Sequence, residues 1–214
     1  MTTPPKILVR GSGDVASAVA HRLFRAGYAV LMHESPQPSA TRRKMAFCDA
    51  VFDGSAWLEG VEGRRIDDLP DLLAALDAHQ FIPLTVAGFE WILKEVSPAV
   101  LVDARMRKHS QPETQLGLAP LTLGLGPGFV AAQTVDLVIE TECGPDLGRV
   151  IQTGAAAALK GEPVSMAGHA RDRYIYAPLE GIFRTSLQIA DPVRQGQVVA
   201  HIGDQPLLAP LDGI

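Results

Sequence analysis

Cysteine is scarce in this chain, and the two that occur, Cys48 and Cys143, stand far apart in no CxxC or CxxH spacing. That removes a zinc knuckle and a redox pair, and leaves buried thiols as the expectation. The histidines are scattered as well, so no metal site is legible from spacing. No run of about 18 apolar residues is free of charges and helix breakers. The start "MTTPPKILV" has too little charged and apolar sequence for a signal peptide. A cytoplasmic location with no membrane partner is therefore expected. Positive charge is not in excess: at a formal net charge of -5 there is no surplus of Lys and Arg to face a phosphate backbone, so no nucleic-acid partner is expected. Several catalytic signatures are missing too: a G-x-S-x-G elbow, an H-E-x-x-H pair, a Tyr-x-x-x-Lys and a cysteine with an evident histidine partner. A dehydrogenase would need a general acid or base beside its cofactor, and Asp103 and His109 are the residues on offer. Whether the chain is an enzyme stays open.

What is present is ordinary globular material. Hydrophobic residues make up 47% and charged residues 20% of 214, which supports one full core and a smaller second module. "KILVR" is a short apolar run ended by "GSG". Val15, Ala16, Val19, Ala20, Leu23 and Phe24 then recur at the spacing of one helix face. Gly27 falls where a left-handed residue ends a helix, and "YAVLMHE" reads as a second buried strand. "SATRRKMAFCDAVF" predicts a helix or an ordered loop, and "DGSAWLEGVEGRRIDD" one or two short strands. "LPDLLAALDAH" and "GFEWILKEV" predict helices, the first with Pro70 in its opening turn, while "FIPLTV", "PAVLVDAR", "LTLGL" and "DLVIET" predict strands. Many of these strands are apolar throughout, the mark of a parallel sheet covered on both faces. The fold class expected is therefore α/β, with a Rossmann-like parallel sheet.

Candidate ligand residues gather at predicted strand ends. "GSGDVA" supplies Gly11, Gly13 and Ala16 for a G-x-G-x-x-G/A fingerprint, with Ser12, Asp14 and Val15 between them. The first glycine makes the tight turn, the second lets backbone approach a pyrophosphate, and the third small residue lets helix pack on strand. Amides at the helix N-terminus would face the phosphate charge. Glu34 ends the second strand, where an acid can accept hydrogen bonds from a ribose hydroxyl pair. The alternative is a turn used only for packing, and Asp14 complicates binding because its charge would repel a phosphate. Arg42 and Arg43 in "TRRK" form either a solvated helix face or a site for an anionic group, including a 2'-phosphate. "VDARMRK" puts Asp103, Arg105 and Arg107 just past a strand's carboxyl end, where Asp103 and Arg105 are either a structural ion pair or part of the same crevice, and Gly126 and Gly128 in "GLGPGF" are either a tight turn or its far wall. Ligands of open parallel sheets bind outside the carboxyl ends of the strands, so these pieces converge on one rim.

After about residue 145 the texture becomes Gly- and Ala-rich with weak periodicity, which predicts a connector over 146–172 between a nucleotide-binding domain over 1–145 and a small β module over 173–214. Within that module "YAPLEGIF" and "LAPLDGI" repeat Ala-Pro-Leu-acid-Gly-Ile, with two short strand candidates and a tight turn at "GDQ" between them. The second copy ends at Ile214, which implies a module cut short.

Taken together, "RGSGDVASAVAHRLFRAGYAVLMHESPQPSATRRKMAF", "VDARM", "GLGPGF" and "VIETECGPDLGRVI" resemble the selenium-dependent molybdenum hydroxylase accessory family over most of the chain. The resemblance implies a role in cofactor or selenium handling for a xanthine dehydrogenase-like enzyme or its maturation machinery, with the molybdenum cofactor or a selenium species as ligand, and assigns no role to any residue. The tail separately resembles the barrel-sandwich hybrid of biotinyl and lipoyl domains. It departs from them at "GDQ", which has no lysine to modify, so a structural or docking module is expected. Three functions follow: an accessory or maturation protein that binds a nucleotide or another anionic cofactor, an NAD(P)-dependent oxidoreductase, and a nucleotide-responsive module without chemistry. A homo-oligomer also stays open.

Overall fold

Lys6–Arg10 forms strand β1, and Ile7, Leu8 and Val9 are all buried, as an uninterrupted apolar run in a strand covered on both faces must be. The computed structural model describes residues 4–39, 42–107, 110–159, 161, 163 and 165–214. Beyond β1 the chain turns through residues 11–13 into helix α1 (Asp14–Arg25), with Gly13 as its N-cap and Ala16, Ser17 and Ala20 buried on its inner face. Those small residues let the helix lie close on the sheet. Gly27, at φ +90°, ends it as expected and leads into β2 (Ala29–His33).

A 3-10 turn at Phe47–Asp49 then runs into the short α2 (Ala50–Asp53), followed by a hairpin of β3 (Ser55–Leu58) and β4 (Val61–Arg65). Helix α3 (Leu69–Ala78) starts where the Asp68 side chain accepts from the Asp71 amide, with Pro70 in the first turn where no backbone donor is needed. Next come β5 (Ile82–Thr85), α4 (Phe89–Val96), β6 (Val100–Asp103), β7 (Leu121–Leu125), β8 (Val130–Ala131), β9 (Leu137–Ile139), β10 (Val150–Ile151) and β11 (Gly154–Ala155).

Nine of these strands make one sheet in the order β10-β9-β7-β6-β1-β2-β5-β4-β3. From β9 to β4 every neighbour is parallel, and only the outermost strands, β10 and β3, run antiparallel. Val9, Val30 and Ile82 pack with Ala16, Ala20, Phe47 and Val51 on one face, while Leu8, Leu31 and Leu101 pack with Leu72, Leu76, Ile92 and Val96 on the other. Successive strand residues thus feed opposite layers, and both faces are covered by helix. The expected α/β class with a large parallel sheet is what the chain adopts. The order β5-β2-β1-β6-β7-β9 is that of a doubly wound fold, in which the chain builds outward on one side of β1 and then crosses to the other. That reversal falls between β1 and β6, and their carboxyl ends are where a crevice opens.

The chain divides into two compact units, Met1–Leu159 and Lys160–Ile214. The first runs past the expected limit at 145. In the segment read as connector, Val150 and Ile151 pair with Ile139 and Val138, and Gly154 and Ala155 pair with Ala131 and Val130. Two-residue pairings leave no periodic signal to read. In the second unit, β12 (Phe183–Arg184), β13 (Val198–Ile202) and β14 (Gln205–Leu208) form an antiparallel sheet, with the turn between β13 and β14 at Gly203 and Asp204, inside "GDQ". Ala200, Ile202 and Leu207 are its buried cluster. The two repeat copies meet different neighbours: a Cβ on Gly181 would come within 2.7 Å of Ile202, whereas Gly213 exchanges two backbone hydrogen bonds with Val193. Among the described residues no helix is long and apolar enough to cross a membrane.

Candidate anion-binding site

A cavity of about 510 Å³ lies at the carboxyl ends of β1, β2 and β6, where the strand order reverses. Gly11, Ser12 and Gly13 form one wall, His33 and Glu34 another, and Arg10, Arg105 and Arg107 a third.

The glycine turn is held in place by its own neighbours. Gly11 sits at φ +103°, a backbone conformation that disfavours any side chain, and a Cβ there would lie 3.0 Å from the Arg105 Cα. Its missing side chain therefore serves the approach of β1 to the segment after β6. The Gly11 amide donates to the His33 carbonyl at 2.8 Å. Ser12, fully buried, donates to Glu34 Oε2 from both its amide and its hydroxyl at 2.8 Å, and the Ser35 amide donates to Glu34 Oε1 at 2.7 Å. From below, the Ser12 carbonyl accepts from the Ser17 hydroxyl at 2.9 Å and the Cys48 amide at 3.0 Å. Cys48 is buried beneath the turn, and burial pushes its thiol up. At the start of α1 the Asp14 carboxylate accepts from the Val15 amide at 3.0 Å and pairs with Arg42 at 2.8 Å. Gly13 differs from Gly11: its φ is -65°, and a Cβ would meet nothing within 4 Å. The amides of Gly11, Ser12 and Val15 are thus engaged, and the open part of the turn is the space over Gly13.

On the opposite wall three guanidinium groups converge. Arg10 is buried at the end of β1, lies 3.6 Å from the centroid of the Phe89 ring, and donates to Gln115 Oε1 at 3.0 Å. Desolvation by burial, reinforced by Arg105, lowers its pKa to about 10, so it remains charged at neutral pH. Arg105 donates from its backbone amide to Asp103 Oδ1 at 3.2 Å and from Nε to the same oxygen at 3.0 Å, and its Nη2 contacts Asp103 Oδ2. Glu113 lies within reach of all three arginines: 2.8 Å from Arg10, 2.9 Å from Arg105, and in contact with Arg107. Burial lowers the Arg107 pKa as well. The Nε atoms of Arg10 and Arg107 are buried with no acceptor among the described residues.

The structure brings Gly11, Ser12, Gly13, Glu34 and Arg105 onto one cavity wall or another. Asp103 lies behind the wall, buried and paired with Arg105, which makes it a structural ion-pair partner with its carboxylate already satisfied. Val15 and Ala16 pack into the core beneath α1. Arg42 is tied to Asp14, and Arg43 shares its turn, half-buried. Gly126 and Gly128 lie away from the cavity, where added Cβ atoms would meet Thr141 and Pro112 at 2.6 and 2.8 Å. His109 falls outside the described residues. His33 is the titratable ring on the wall. Its Nε2 lies 2.9 Å from the Ala87 carbonyl, which can only accept, so Nε2 carries the proton, and burial lowers the ring's pKa.

Arg107, which the sequence places with Asp103 and Arg105 just past a strand's end, joins them at the site, and Arg10, His33 and Glu113 complete it without having been singled out from sequence. Arg10 had a usable signal, being the one charge closing an apolar strand directly before the glycine turn. Glu113 had none, since it lies in an irregular loop and reaches the arginines only through the fold.

Fold and site together define a doubly wound α/β protein with an arginine-walled crevice at its switch point. The chain is 40% identical over 208 residues to the uncharacterized protein YqeB of Escherichia coli (strain K12), an alignment covering 97% of this chain and 38% of that relative. The chain thus spans well under half the length of the curated relative it matches. No family model and no solved structure matches it.

Proposed function

We propose that this chain is a cytoplasmic accessory or maturation protein for a xanthine dehydrogenase-like molybdenum hydroxylase, and that it binds a nucleotide or another phosphate-bearing cofactor in the crevice between β1, β2 and β6. The observation that carries the binding half is the cavity of about 510 Å³ at the strand-order reversal, with open backbone at Gly13 and three arginines facing it. Its volume suits a small-molecule ligand. The link to a molybdenum hydroxylase rests on the family resemblance of the glycine-turn, "VDARM" and "GLGPGF" segments. Arginine forks fit the phosphate of a nucleotide or a pterin-type molybdenum cofactor. Covalent capture of selenium by a thiol is not supported, because the described cavity wall carries no cysteine and Cys48 is enclosed under the turn.

Thermal unfolding of the chain with NAD, NADP, ATP and a pterin-type molybdenum cofactor tests the reading. One of them is expected to stabilise the protein by about 2.7 kcal/mol at a hundredfold excess over its Kd. Gly13→Val, which fills the open space over the turn, is expected to remove that stabilisation while leaving the unliganded protein folded. A panel without any response, in a wild-type protein shown to be folded, would end the proposal. Hydride transfer to or from an added nicotinamide by the purified chain would favour an oxidoreductase instead.

A further inference from the structure

We infer that the three arginines at the crevice form a subsite for a doubly charged phosphoryl group, and that Glu113 occupies this subsite as an internal stand-in which the ligand displaces. The inference rests on the reading of the crevice as an anion site and names the part of it that takes the charge.

Nucleotide-binding turns of this shape ordinarily offer their amides to phosphate, but here the turn is already supplied with anions. Glu34 takes the Ser12 amide and hydroxyl, the His33 carbonyl takes the Gly11 amide, and Asp14 places a carboxylate at the start of α1. A phosphoryl group brought there would meet two carboxylates.

The arginine wall has the opposite imbalance. Arg10, Arg105 and Arg107 are matched by Asp103 and Glu113, an excess of one positive charge. The two acids are held differently. Asp103 is 2% exposed and fixed by Arg105, whereas the Glu113 side chain is 48% exposed and projects from an irregular loop between β6 and β7. If Glu113 swings into solvent, the wall carries an excess of two positive charges, which matches a phosphoryl dianion. The buried Nε atoms of Arg10 and Arg107, which lack acceptors in the present arrangement, point the same way. An unsatisfied buried donor is unfavourable, and a phosphoryl group brings three acceptor oxygens where a carboxylate brings two. Arg10 itself is more than nine-tenths buried and clamped against Phe89. Its guanidinium is therefore pre-positioned, and little side-chain entropy remains to be lost on binding.

Calorimetric titration of the intact chain with inorganic pyrophosphate at low ionic strength tests this. Glu113→Gln is expected to bind pyrophosphate about tenfold more tightly than wild type, and Arg107→Gln about tenfold more weakly, with Arg107→Lys between wild type and Arg107→Gln because it keeps the charge and loses the fork. Equal or weaker binding by Glu113→Gln, or no saturable binding by either protein, overturns the inference. Glu113→Asp, which shortens the reach to the arginines, serves in the same way if the Gln variant does not fold. Pyrophosphate binding that tightens in Glu113→Gln while no nucleotide binds leaves this subsite standing and removes the nucleotide reading. Nucleotide binding that Gly13→Val abolishes and the Glu113 and Arg107 variants do not alter removes the subsite alone.

Discussion

Glu140 shows how much one side chain does at the far side of the sheet. It is buried just past β9, and its carboxylate accepts from the Thr141, Glu142 and Ala157 amides at 2.7 to 2.8 Å. It thereby ties the segment after β11 to the end of β9. Those backbone donors, Ala157 first, hold its carboxyl below the usual range. A folded-state pKa below the unfolded value adds stability that is fully present above the unfolded pKa and is lost as pH falls through the folded one. Glu140→Gln is therefore expected to cost about 2 kcal/mol at pH 7, and the gap to wild type is expected to narrow steadily in urea denaturation as pH is lowered below about 4. His33 acts in the same direction. Because burial lowers its pKa, the unfolded state takes up the proton first, and stability is lost as pH falls below the imidazole's ordinary value near 6.5.

Two glycines of one turn serve different elements of the fold. Gly11 joins β1 to the segment after β6, because its positive φ and the Arg105 backbone 3.0 Å from where a Cβ would be leave no room. Gly13 caps α1 in an ordinary extended conformation with open space around it. Gly11→Ala is accordingly expected to destabilise the fold by about 1–3 kcal/mol, and Gly13→Ala to change stability by no more than about 0.5 kcal/mol. Chemical denaturation of the two variants side by side measures both. Equal losses would mean that the crowding at Gly11 is relieved by a shift of the segment after β6. From sequence the two positions looked alike, as members of one fingerprint. Their difference comes from β6, which lies beside β1 in space and some ninety residues away along the chain.

The whole molecule is unevenly built. The Met1–Leu159 unit buries two layers around a nine-stranded sheet, whereas the Lys160–Ile214 unit gathers its buried cluster from Ala200, Ile202 and Leu207. A small apolar core supports little stability. Amides of β13 are expected to exchange with deuterium through openings of lower free energy than those of β1, β2 and β6, a difference native-state exchange detects. Equal protection in the two units would show that they open together. The strands and helices from Lys6 to Ile139 were readable because runs such as "KILVR" and "VLVD" are apolar without alternation, and because helix faces repeat at fixed spacing. Those local signals determined the α/β class and the rim on which a ligand site would lie. The two-residue strands β8, β10 and β11 carry no such signal. Nor does anything local record that Glu34 reaches Ser12, or that Glu113 meets Arg10. Periodicity is a property of neighbours along the chain, while charge pairing at the crevice depends on which strands lie side by side, and that only the tertiary structure decided.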